Sequence, residues 1–116
     1  MNETPPMHAT EVFGRYARQF HATPLPDDVL HHAKRAVIDW HAALFPGLAA
    51  DPLAQLEQVL ADDLDRGRAQ LGNGRAATAR AAALYNGTAA HAAEIDDSFR
   101  DAMYHPGAAT IAAALA

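Results

Sequence analysis

The chain has no cysteine, a single lysine (Lys34) and few β-branched residues. No window approaches the roughly 18 consecutive apolar residues that a membrane span needs. Without cysteine there is no disulfide framework, thiolate nucleophile, zinc finger or iron–sulfur ligation. Nine basic residues stand against fourteen acidic ones, a net charge of −5, and the arginines form no stripe. Nucleic acid is therefore not an expected partner. Neither a basic tail nor an acidic run is present. Met1 to Thr10 holds Pro5, Pro6 and His8 without an apolar core, so it does not resemble a secretory signal. The expectation is a soluble, cytoplasmic protein without a membrane partner. At 116 residues, half of them hydrophobic and 20% charged, the chain suits one ordered domain.

Alanine is what the chain has in excess: 29 residues, 17 of them between Arg75 and Ala116. Alanine is the strongest helix former and lets helices approach closely. No segment alternates clearly between apolar and polar residues, so the expected fold is all-α, a bundle-like set of helices. The first helix is expected from about Thr10, a suitable N-cap ahead of Glu11, to His21. Phe13, Tyr16 and Phe20 form its apolar stripe. Pro24 and Pro26 end it, and Pro26-Asp27-Asp28 opens a second helix that carries Val29, Ala33, Val37, Trp40 and Leu44 and stops before Pro46-Gly47. His31, His32 and His41 on that helix suit packing or surface positions better than ligation.

Asp51-Pro52 starts a third helix, with Leu53, Leu56, Leu60 and Leu64 on one face, ending near Gly67. Gly72-Asn73-Gly74 marks a turn, and with no strand before it this is no nucleotide fingerprint. An alanine-rich helix follows from Arg75, with a brief interruption expected at Asn86-Gly87. His105-Pro106-Gly107 opens a last apolar helix, Ala108 to Ala116. That helix has no C-cap, terminal cation or polar ending, so the chain is expected to be the truncated piece of a longer one.

Chemistry concentrates between His91 and His105. His91 and Glu94 are three apart and are expected on one helix face. Asp96, Asp97 and Ser98 follow at a helix end or turn. These carboxylates, hydroxyl and imidazoles could do acid–base work on a polar substrate, yet the same run also suits a solvated loop that caps its neighbours. A metal site is not expected: di-iron bundles need paired motifs from several helices, and the acidic run lacks the glycine of an EF-hand loop. Spacing reaches a helical domain with one polar cluster and no further.

The order of these residues is similar to a known pattern. Asn86-Gly87-Thr88-Ala89-Ala90-His91-x-x-Glu94-x-Asp96-Asp97-Ser98, then His105-Pro106 ahead of an apolar helix, resembles the MmgE/PrpD family, whose usual form is N-G-x-x-x-H-x-x-D-x-D-D-[ST] followed by H-P. Leu25-Pro26-Asp27-Asp28-Val29 and Gly74-Arg75-Ala76 extend the likeness, which covers about residues 10 to 116. The family includes 2-methylcitrate dehydratase, cis-aconitate decarboxylase and iminodisuccinate epimerase. These act on small di- and tricarboxylic acids without metal or organic cofactor, usually as homodimers, from a site between a large helical domain and a smaller α/β lid.

The resemblance implies that the chain is the N-terminal part of that helical domain, with a polycarboxylate substrate, no cofactor and a homodimeric state. Carried over position by position, it makes Glu94, Ser98 and His105 the catalytic residues and His91, Asp96 and Asp97 substrate-binding residues, with Asp96 and Asp97 shaping the loop. Glu94 replaces the usual aspartate, moving the carboxylate about one methylene further out. The family's catalytic lysines lie outside this stretch, and Lys34 matches none of them, so no turnover is expected of the chain alone. The alternative is a non-enzymatic helical module for oligomerisation or partner binding.

Overall fold

The computed structural model describes residues 8–116; the N-terminal stretch judged against a signal peptide lies mostly outside them. Contacts divide the chain into two compact units, one ending at His32 and the other running Ala33–Ala116. Among the described residues the structure is predominantly helical, with helices α1 (Ala9–Ala22), α2 (Asp27–Gly47), α3 (Asp51–Val59), α4 (Ala79–Ala92) and α5 (Pro106–Leu115). No helix among them is long and apolar enough to cross a membrane.

In the first unit, α1 begins one residue earlier than Thr10 and is preceded by His8 in extended conformation, with no side-chain cap. Tyr16 and Phe20 of its apolar stripe pack ring against ring, centroids 4.9 Å apart. Pro26 stands just before α2, its carbonyl accepting from Leu30 N–H.

In the second unit the core is built from Trp40 and Leu44 of α2, Leu53 of α3, and Ala81, Ala82, Tyr85, Ala89 and Ala90 of α4, with Leu60, Leu64, Leu71 and Ala77 from the intervening segment and Ala112 of α5. Alanine's small side chain is what lets these helices meet. A Cβ on Gly47 would overlap the carbonyl oxygen of Ala89, and one on Gly87 would lie 3.0 Å from the Ala108 carbonyl. α2 therefore continues through Pro46, with Gly47 pressed on the α4 backbone, rather than stopping before it.

Two further expectations need correction. The third helix does not reach Gly67. α3 ends at Val59, a short 3-10 turn covers Ala61–Asp63, and Leu64–Gln70 is a strand, β1, paired antiparallel with β2 (Ala76–Ala77). Leu53, Leu60 and Leu64 still enter the core, which is why they mimic one helical face. The switch follows from backbone chemistry. Asp65 and Gly67 have positive φ, 58° and 79°, a conformation no α-helix contains. Asp63 is tied across to the next element, accepting from the Thr78 hydroxyl at 2.9 Å and from Arg80 at 2.6 Å. Gly72-Asn73-Gly74 is the expected turn, closed by Gly74 N–H to Leu71 O at 2.8 Å.

Nor does α4 start at Arg75 or break at Asn86-Gly87. Arg75 closes the hairpin, Thr78 is the N-cap, accepting from Ala81 N–H, and the helix runs unbroken to Ala92. Asn86 is mid-helix because both ends of its amide are engaged: it accepts from Gly72 N–H at 2.7 Å and donates to the Gln70 carbonyl at 2.9 Å. The asparagine thus holds the hairpin against the helix.

Candidate functional site

The loop between α4 and α5 brings five of the six predicted site residues together. His91, on the last turn of α4, donates from Nδ1 to Asp96 Oδ2 at 3.0 Å. His105, immediately before α5, donates from Nδ1 to the Asp97 carbonyl at 2.8 Å, and its Nδ1 is also 3.4 Å from Asp96 Oδ2. Ser98 Oγ is 3.5 Å from the same nitrogen. Both oxygens of Asp97 accept from Gly107 N–H, at 2.9 and 3.1 Å, so this carboxylate caps the start of α5. The two imidazole centroids are 4.8 Å apart.

Burial differs sharply within the cluster. The Asp96 side chain is 1% exposed, whereas those of His91 and His105 are 53% and 38% exposed. The carboxylate thus sits behind two accessible rings. Each ring has its Nδ1 turned inward and, among the described residues, makes no hydrogen bond through Nε2. Both line an open groove of about 1110 Å³ along α4 and α5, together with Arg80, Leu84, Thr88 and Tyr104.

Glu94 stands apart. α4 ends at Ala92, so Glu94 does not share a helix face with His91 as expected; it occupies the turn beyond, with φ of 52°, its N–H bonded to the His91 carbonyl. It is exposed and makes no side-chain hydrogen bond or ion pair among the described residues. This left-handed residue closes the helix C-terminus, a place usually taken by glycine. It reverses the chain so that Asp96 returns beneath His91.

Arg80 and Thr88 are groove residues that the motif did not indicate. Their signal was periodicity: Arg80, Leu84, Thr88 and His91 recur at intervals that place them on one face of α4. Arg80 is paired with Asp63 at 2.6 Å, its side chain 79% exposed. The Thr78 hydroxyl, and after it Arg80, hold the Asp63 carboxyl below its ordinary range. On the far side of the hairpin, Tyr85 donates to Glu57 at 3.0 Å. Burial, reinforced by that carboxylate, pushes the Tyr85 phenol up to about 12. Arg75 binds Asp65 at 2.6 Å, which lowers the Asp65 carboxyl and raises the guanidinium.

His91, Asp96 and His105 also offer ligand atoms within 4.8 Å of one another, the donor set of a transition-metal ion. The His105 Nδ1 bond to the Asp97 carbonyl competes with ligation through that nitrogen. What the arrangement does without rearrangement is present two oriented imidazoles on one groove, a set suited to proton transfer.

A helical chain with its acid–base groups gathered on the loop between two packed helices defines the class. Within it, the N-terminal domain of MmgE/PrpD matches residues 11–116, and the chain belongs to that family. Comparison with curated proteins and with solved structures gave no match.

Proposed function

We propose that this chain supplies the proton-transfer part of an MmgE/PrpD-type lyase or isomerase site for a small di- or tricarboxylic acid. The supporting observation is the state of His105: it lines the groove, its Nδ1 is tied to the Asp97 carbonyl at 2.8 Å, and its Nε2 makes no hydrogen bond among the described residues. An imidazole held this way can take the proton alpha to a carboxylate. The charge of a substrate carboxylate and of the enediolate that forms must be offset by cations; Arg80 lines the groove at the far end of α4, about 16 Å of helix rise from His91, and is paired with Asp63. Ser98 supplies a hydroxyl for a substrate oxygen, and Glu94 a second group for proton transfer.

In the dehydratase form, resembling 2-methylcitrate dehydratase, the C–H pair moves into a new C=C bond. The β C–O bond breaks, and the departing oxygen leaves as water on receiving a proton. The chain is then the N-terminal part of a larger helical domain, with lysines from elsewhere completing a site in a cytoplasmic homodimer.

The test is solvent-proton exchange in deuterium oxide, followed by proton NMR, on the full gene product with a panel of small polycarboxylates. Stereospecific exchange or elimination with one panel member, reduced about 100-fold or more by His105→Asn in a folded protein, supports the reading. Unchanged rates in that variant overturn it.

A further inference from the structure

Neighbouring aspartates in the loop do different work. Asp97 spends both carboxylate oxygens on the backbone of α5, at Gly107 N–H, while its carbonyl orients His105. Asp96 makes no such backbone bond. Its Oδ2 meets His91 Nδ1 at 3.0 Å and stands 3.4 Å from His105 Nδ1, and no donor among the described residues reaches its buried Oδ1. A carboxylate that is 1% exposed and, among the described residues, engages only imidazoles has no capping role to explain its burial. Carboxylate and carbonyl oxygens accept hydrogen bonds and donate none, so each Nδ1 that meets them carries a proton, and in the neutral ring the lone pair is then on Nε2.

We propose that Asp96 is the positioning residue of this site. Its buried carboxylate holds His91 beside His105 in the same tautomer, so that a ligand in the groove meets two adjacent Nε2 atoms instead of one. The inference rests on the reading of His105 as the proton-transfer group, and adds His91 as a second acceptor whose orientation depends on Asp96. A ligand that meets both rings presents hydrogen to them.

Long-range proton–nitrogen NMR of the imidazole rings tests this without any turnover. In the unaltered chain, both His91 and His105 are expected to show the Nδ1–H tautomer and ring-to-ring contacts. Asp96→Ala is expected to return His91 to the tautomer mixture of free imidazole and abolish its contact with His105. Asp97→Ala, which keeps the carbonyl, leaves His105 as Nδ1–H. An Nε2–H form at either ring of the unaltered chain overturns the proposal even if Asp96→Ala does not fold. Retention of both tautomers and of the ring contact in Asp96→Ala also overturns it. Full activity of His105→Asn alongside the expected spectra removes the proton-transfer reading and leaves the positioning role standing.

Discussion

Asp97 grips the N–H of Gly107 with both carboxylate oxygens, at 2.9 and 3.1 Å, fastening the loop that carries the acidic residues to the first turn of α5. Pro106 has no N–H to offer, so Gly107 supplies the donor nearest the helix start. The negative charge also meets the positive end of the helix dipole. Asp97→Ala is expected to destabilise the chain by about 1–2 kcal/mol in denaturant unfolding. Gly107→Ala sets a Cβ 2.6 Å from Asp97 Oδ1, so it should displace the same carboxylate. Because both changes act on one contact, the double variant should be less destabilised than the sum of the singles.

Two helical glycines make opposite predictions. A side chain at Gly47 collides with the Ala89 backbone, which cannot move without shifting α4. Gly47→Ala should therefore cost roughly 3 kcal/mol or more. Among the described residues, nothing beyond the helix's own backbone lies within 4 Å of a Cβ at Gly14, inside α1. Gly14→Ala should stabilise that helix by about 0.5–1 kcal/mol. Thermal unfolding followed by circular dichroism compares the two; equal effects would contradict the close approach of α2 and α4.

Alkaline unfolding should report Tyr85. Its phenol is raised from 10.0 to about 12 by burial and by Glu57, so the folded state keeps this proton where the unfolded chain releases it. The contribution is fully present below pH 10 and is lost as the pH rises from 10 to about 12. Unfolding measured across that window should show stability falling, and Tyr85→Phe should flatten this part of the profile. An equally steep fall in Tyr85→Phe would assign the loss to other groups.

The helical composition of the chain, the turn at Gly72-Asn73-Gly74 and the polar cluster were legible because each rests on neighbours in sequence. What escaped depends on distant partners. Leu53, Leu60 and Leu64 share an apolar pattern and do enter the core, but their helical spacing could not reveal that the chain changes to a strand between Leu60 and Leu64. Ala76 and Ala77 favour helix locally, and pairing with β1 overrides that preference. Asn86-Gly87 looked like a break because neither residue favours a helix interior; Asn86 is held there by Gly72 and Gln70, and Gly87 by the approach of α5. At the site, the grouping of His91 with Asp96 and His105 depends on a left-handed residue at Glu94, which spacing alone could not show.

That left-handed residue yields the last prediction. Glutamate at φ of 52° carries strain of about 1 kcal/mol that glycine would not. Its side chain makes no hydrogen bond or ion pair among the described residues to offset this, so contacts within the chain do not explain why a carboxylate stands there. If the carboxylate is used in proton transfer, stability and activity must separate on replacement. Glu94→Gly should stabilise the chain by about 0.5–1 kcal/mol in denaturant unfolding while lowering turnover of the full gene product about 100-fold. Glu94→Gln, which keeps the strain, should leave stability near the starting value and lower turnover to a similar extent. Full turnover in both variants would show that the turn needs only the backbone conformation, and would remove Glu94 from the proton-transfer set.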